Sequence, residues 1–158
     1  MRCCAHILNL FMGDGLKDCD SSIAKVRDAV RYVKFSPNRF QIFKDYVKTL
    51  GIESKSLLCL DIATRWNSTY IMLESAVKFD KVFLRMDFED EGYNTHFHKH
   101  QTSGSLRSLD VSDFYDCKLF VNFFKLFYYA TNKFFDSLYV TSNTFFMRFM
   151  SFKPKLMN

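Results

Sequence analysis

The sequence predicts a mainly α fold, mostly helices with about one short strand. Apolar residues recur at helical spacing in segment after segment. Polar caps, a cap–proline pair and glycines fall at the ends of those segments. A single short apolar run at residues 57–62, bounded by polar residues, departs from the helical period.

Residues 4–16 carry Ile7, Leu10 and Phe11 on one helical face, with His6 one turn before Leu10, and Gly13 and Gly15 weaken the end. Asp20 and Ser21 cap a helix over residues 22–34. Ile23, Val26, Val30 and Val33 form its apolar stripe, while Lys25, Arg27, Asp28 and Arg31 take other faces. Ser36 followed by Pro37 is a cap with proline at the first helical position. The helix it opens, residues 38–50, buries Phe40, Phe43 and Val47, and Gly51 stops it. Residues 57–62 read as extended, the one strand. From Thr64 the period is helical again, and Trp66, Tyr70, Leu73, Val77 and Leu84 predict one long helix to about Met86. Residues 92–108 are polar and rich in His, Ser and Thr, which predicts a flexible loop. Phe114, Cys117, Val121, Phe124, Tyr128 and Thr131 trace the face of a helix over residues 111–135, and Thr141 or Ser142 caps a last one over residues 141–152.

The chain of 158 residues suits one domain and is short for two. Its 19 Phe and eight Tyr need a large aromatic core or a second surface to cover them. If that surface belongs to another part of a longer parent, exposed apolar patches and self-association follow. The five cysteines, at 3, 4, 19, 59 and 117, are odd in number and irregular in spacing, which argues against a disulfide scaffold and for a reducing compartment. No secretory pattern opens the chain, and no apolar run approaches a membrane span, since Asn122 and Lys125 interrupt residues 119–129. Of the formal charge of +5, residues 92–158 hold +4, with eight basic and four acidic groups. An anionic partner is allowed but not demanded.

Few residues carry chemistry by type. Cys3 and His6 share a helical face, but the second ligand pair of a zinc site is missing, so packing is the plainer role and shaping a neighbouring, DNA-contacting active site is the alternative. His96, His98 and His100 fall in the polar stretch and read as solvated. Mg2+ nuclease chemistry needs converging carboxylates. Asp61 and Glu74 are candidates by type alone, and Asp61 has a plainer task capping the turn into Thr64, Arg65 and Trp66. At that corner Trp66, the sole Trp, is a core anchor or a stacking surface for an unpaired base, and Arg65 is a salt-bridge partner or a phosphate contact.

Three stretches carry a family signature. Residues 2–10, RCCAHILNL, resemble the R-C-x-A-H-I-L-N-L segment of hAT transposases of the plant zinc finger BED domain RICESLEEPER type. Residues 60–70, LDIATRWNSTY, resemble the L-D-x-x-T-R-W-N-S-T-Y block, and residues 136–143, DSLYVTSN, resemble G-S-L-Y-V-T-S-N. The AVRYV and SPNRF segments between them share the family's flavour. The resemblance covers nearly the whole chain, with the blocks in order. Cys4 in place of a small residue, FMGD at residues 11–14 and the His-rich stretch depart from the pattern.

The resemblance implies that residues 1–158 are an internal part of an RNase H-like α/β domain interrupted by a helical insertion. Cys3 and His6 would match the family's C-x-x-H. Arg65 and Trp66 would match its R-W corner beside the active site, linked to hairpin handling during excision. The catalytic aspartates would lie before residue 1 and the glutamate after residue 158, so catalytic and metal residues are expected to be none in this chain. Mg2+, and Zn2+ for a BED finger, are implied only for a complete parent. The implied setting is the nucleus, with DNA and the remaining transposase segments as partners. The alternative expectation is a non-enzymatic, domesticated or truncated transposon product that binds DNA or protein.

Overall fold

The computed structural model describes residues 20–54, 57–63, 65–99 and 109–135. These form α1 (Asp20–Lys34), α2 (Pro37–Thr49), α3 (Trp66–Ala76), a single 3-10 turn (Val77–Phe79), α4 (Asp80–Glu89), α5 (Glu91–Lys99) and α6 (Val111–Phe135). The helices expected over residues 4–16 and 141–152 lie outside the described residues.

The core forms where α6 lies against α3 and α1. Helix α1 also packs on α2 and α3, and α4 joins α2 to α5. The stripe read from α1 is buried as expected: Ile23, Val26, Val30 and Val33 meet aromatic residues from the other helices. Phe43 of α2 sits 5.3 Å from Phe79 and 5.5 Å from Phe83, ring centre to ring centre. Phe83 in turn lies 6.1 Å from Phe114 of α6. Offset and edge-on rings at such distances attract beyond their area, so much of the phenylalanine load is spent on this core.

Helix α2 begins and ends as its sequence dictates. Ser36 is extended, its Oγ accepts the Arg39 amide at 3.2 Å, and Pro37 follows. At the other end Gly51 takes φ +62°, where a side chain would be strained. Its amide donates to the Lys48 carbonyl and the Ile52 amide to that of Val47, each at 3.1 Å. Those are the paired bonds of a Schellman stop.

Three expectations are corrected. No strand forms among the described residues, and residues 57–62 take no regular structure. A strand needs a neighbour's backbone, whereas here hydroxyls from α3 meet the chain. The Cys59 amide donates to Ser75 Oγ at 3.3 Å and the Ile62 amide to Ser68 Oγ at 2.9 Å. The long helix expected from residue 64 to 86 breaks at the 3-10 turn, where Phe79 is driven fully into the core against Phe43. Its ψ of 22° is not helical, and Asp80 restarts the helix. The loop expected at residues 92–108 begins as helix α5. Asp90 Oδ1 accepts the amides of Gly92 at 2.9 Å and Tyr93 at 3.1 Å, a cap that opens the helix. Tyr93 and Phe97, four apart, are both buried and hold it to the core. Residues 100–108 lie outside the described residues.

Helix α6 opens on a reciprocal cap. The Asp113 amide donates to Asp110 Oδ1 and the Asp110 amide to Asp113 Oδ2, each at 3.0 Å. Asp113 also binds α1: both its oxygens lie 2.8 Å from Lys25 Nζ, and Ser22 Oγ donates to Oδ1 at 2.9 Å. Lys25, expected on a polar face, is thus a tie between the first and last described helices.

Candidate functional site

The corner between residue 61 and α3 brings several of the sequence candidates together. The Arg65 amide donates to the Ile62 carbonyl at 2.8 Å, closing a turn just before the helix. Arg65 is itself extended, with φ −123° and ψ 103°, and its carbonyl accepts the Ser68 and Thr69 amides at 2.9 and 3.1 Å. Its side chain is exposed. Trp66, the first helical residue, points the opposite way: it is only 6% exposed and its ring centre lies 6.0 Å from that of Phe124 on α6. The structure therefore gives the Trp an anchoring position and the Arg an outward one.

Asp61 fixes the corner from beneath. Its Oδ2 accepts Arg27 Nε from α1 at 2.8 Å and Thr69 Oγ1 from α3 at 3.1 Å. The carboxylate is almost fully buried, with 1% side-chain exposure against 15% for Arg27. Asp61 Oδ1 and Asn67 Oδ1 are buried at the same corner without a hydrogen-bond partner.

The two carboxylates that were candidates by type, Asp61 and Glu74, are each engaged by neighbouring side chains. Asp61 Oδ2 is taken by Arg27 and Thr69. Glu74 Oε1 accepts the Tyr70 hydroxyl at 3.0 Å, and burial together with that bond pushes the Tyr70 phenol far up. Among the described residues no three His, Cys, Asp or Glu side chains gather. Cys3 and His6 lie outside the described residues. His96 is a helical residue rather than a loop residue, with its ring 4.9 Å from that of Tyr32. No helix among the described residues is long and apolar enough to cross a membrane.

Arg27 is the member of the corner that sequence reasoning missed. It lies 34 positions from Asp61, too far for any local spacing to link them. One signal was present: Arg27 stands four after Ile23 and three before Val30, on the border of the buried stripe. The Arg39, Tyr32 and Phe35 group was missed as well, because it is assembled across the turn between α1 and α2.

The family model described as the ZBED1 RNase-like helical domain matches residues 1–108. "Zinc finger BED domain-containing protein RICESLEEPER 2" of Oryza sativa subsp. japonica is 29% identical over 158 residues, all of this chain and 20% of that protein. RICESLEEPER 3 of the same plant is 36% identical over 94 residues, 60% of this chain and 12% of its own length. The "Putative AC transposase" of Zea mays is 33% identical over 90 residues, 57% of this chain and 11% of its own. No solved structure matches. The chain thus spans about a fifth of the length of the rice relative it matches throughout. Its helical core, its L-D-x-x-T-R-W corner and these matches agree: the chain belongs to the ZBED1 RNase-like helical domain family and is homologous to part of the plant BED-zinc-finger and hAT transposases.

Proposed function

We propose that this chain is a DNA-contacting part of a transposase-derived protein and carries no strand-cutting chemistry of its own. The observation that supports it is the division of labour at the corner. Trp66 and the Arg27–Asp61 pair hold the turn to the core, and the Arg65 guanidinium is left facing outward. An arginine fixed at its base and free at its head suits a phosphate. Asp61 and Glu74 both serve structural hydrogen bonds, so neither is offered as a metal ligand. In a complete nuclear parent of RNase H-like α/β architecture, these helices would belong to the insertion and its approach. Mg2+ would be held by carboxylates supplied elsewhere, and Zn2+ by a BED finger.

A second reading, a non-enzymatic or truncated transposon product that also binds protein, is favoured by α6. Val111, Tyr115, Leu119 and Phe123 recur every fourth residue along it, and each is more than half exposed.

The test uses the full 158-residue chain with labelled hairpin and duplex DNA across a salt series. Arg65→Ala is expected to weaken binding and to lower the salt slope by about one. No cleavage is expected with Mg2+ or Mn2+. Undiminished binding by Arg65→Ala removes the corner from the DNA interface, and metal-dependent cleavage above a blank preparation overturns the non-catalytic half.

A further inference from the structure

An open cleft of about 320 Å³ lies where α1 turns into α2, walled by Asp28, Arg31, Tyr32, Phe35, Arg39 and His96. That volume is at the small end of ligand-sized pockets. The chain builds it by a sharp change of direction. Tyr32 is in the last turn of α1, Phe35 is in the link, and the Ser36 cap with Pro37 swings Arg39 of α2 back over both rings. The Arg39 guanidinium carbon lies 4.0 Å from the Tyr32 ring centre and 5.4 Å from that of Phe35. Tyr32 is buried and held edge-on by Tyr93 at 5.2 Å, with His96 on its flank at 4.9 Å. The floor of the cleft is therefore fixed. Phe35 is not used by the core at all, being 81% exposed beside the Arg39 head.

We propose that this cleft takes one unpaired nucleotide of single-stranded DNA, its base stacked on Phe35 and its phosphate met by Arg31 and Arg39. The proposal rests on the DNA-contacting reading above and adds a second contact, built from residues other than those of the Arg65 corner. An exposed flat ring beside a guanidinium is what binds unpaired bases without regard to sequence, because each base has a stacking face and each carries a phosphate. Both faces of a paired base are covered by its neighbours in the stack, so a duplex offers Phe35 nothing comparable. Asp28 in the wall disfavours a bare inorganic anion and offers an acceptor to the exocyclic amine of a base. Arg39, stacked on Tyr32, is already ordered before a phosphate arrives. The exposed ring argues for DNA over an acidic peptide, which would be met by the two arginines but would leave Phe35 without a partner.

The experiment measures anisotropy of a labelled single-stranded oligodeoxycytidylate, whose bases carry the exocyclic amine, and of a duplex of equal length, titrated with the full chain. The variants are Phe35→Ala, and Arg39→Lys, which keeps the charge and loses the planar stack. Phe35→Ala is expected to weaken single-strand binding by about tenfold or more, the scale of one lost base stack, and Arg39→Lys to weaken it by a smaller factor, with duplex binding unchanged in both. Phe35→Ala should leave the melting curve in place, since its ring is outside the core. Wild-type binding to DNA with undiminished single-strand affinity in Phe35→Ala overturns this inference and leaves the DNA-contacting reading intact. Polyglutamate competing as well as single-stranded DNA, and doing so through Phe35, overturns it in favour of an acidic peptide. A wild-type chain that binds neither single strand nor duplex overturns both.

Discussion

Arg27 on α1 and Asp61 before α3 meet with Nε and Oδ2 2.8 Å apart, and the two ends of the pair are unequally buried. The guanidinium reaches partial solvent, while the carboxylate does not. Removing Arg27 therefore strands a buried charge, whereas removing Asp61 leaves an arginine that water can still reach. Arg27→Met should destabilise the fold by about 3–5 kcal/mol, the cost of breaking a buried pair from one side. Asp61→Asn should cost less, about 1–3 kcal/mol for the lost charge-assisted bond. The double variant Arg27→Met with Asp61→Leu should recover part of the first loss. Urea unfolding of the three variants checks the order; equal losses for the two single changes would show that burial does not decide it.

Asp110 makes a pH-sensitive start to α6. The Ser112 hydroxyl, and then the Asp113 amide, hold the Asp110 carboxyl below its ordinary value. A group whose folded pKa is lowered contributes stability in full above its unfolded value, about 4. That contribution is lost as the pH falls through the lowered folded value. Asparagine also caps helices well but does not titrate. The stability advantage of wild type over Asp110→Asn should thus be constant near neutral pH and shrink in acid. Unfolding midpoints from about pH 6 to about pH 3 measure it; a difference that stays level throughout would remove Asp110 from the acid response.

The helical core was legible in the sequence wherever it was written in local spacing. The stripe of Ile23, Val26, Val30 and Val33, the Ser36–Pro37 start and the Gly51 stop were all readable, because each depends on neighbours within a turn or two. The misreadings have a common physical cause. Phe79 breaks a helix beside Phe43, and in residues 57–62 the amides of Cys59 and Ile62 go to Ser75 and Ser68 rather than to a neighbouring strand. Neither partner is visible in a local window. At residues 92–99, glycine and histidines outweighed the cap at Asp90 and the Tyr93–Phe97 pair in the reading, though burial decided the outcome. Arg65 and Trp66 were legible as a corner through their family motif. Their opposite orientations were not, since only Phe124, far along the chain, fixes which of the two faces inward.

The exposed stripe of α6 predicts self-association. Val111, Tyr115, Leu119 and Phe123 form a continuous apolar track on a helix whose other face is already packed. Analytical ultracentrifugation at micromolar concentration should show species heavier than the monomer. Tyr115→Glu with Phe123→Glu should shift the distribution toward monomer with little change in the unfolding midpoint, because both side chains are outside the core. A compact wild-type monomer that binds no apolar dye would count against the stripe as a contact surface.

Trp66 and Arg65, adjacent in sequence, should fail in different ways when removed. Trp66 is buried against Phe124, whose ring centre lies 3.9 Å from that of Phe120, so an alanine at position 66 opens a hole in a stacked aromatic row. Such a change costs about 3–5 kcal/mol, more than the roughly 1–3 kcal/mol that one stacked base contributes to binding. It is also a large part of the roughly 5–15 kcal/mol that holds a domain folded. Trp66→Ala should therefore lower the unfolding midpoint strongly, with DNA affinity lost only as far as folded protein is lost. Arg65→Ala, at an exposed side chain, should move stability by no more than about 0.5 kcal/mol while weakening DNA. Chemical unfolding and DNA titration on both variants separate the two. Unchanged stability with selective loss of hairpin binding in Trp66→Ala would reverse the assignment: the indole would then leave its place on Phe124 to meet a base, and the corner would be a moving part of the DNA interface instead of its fixed support.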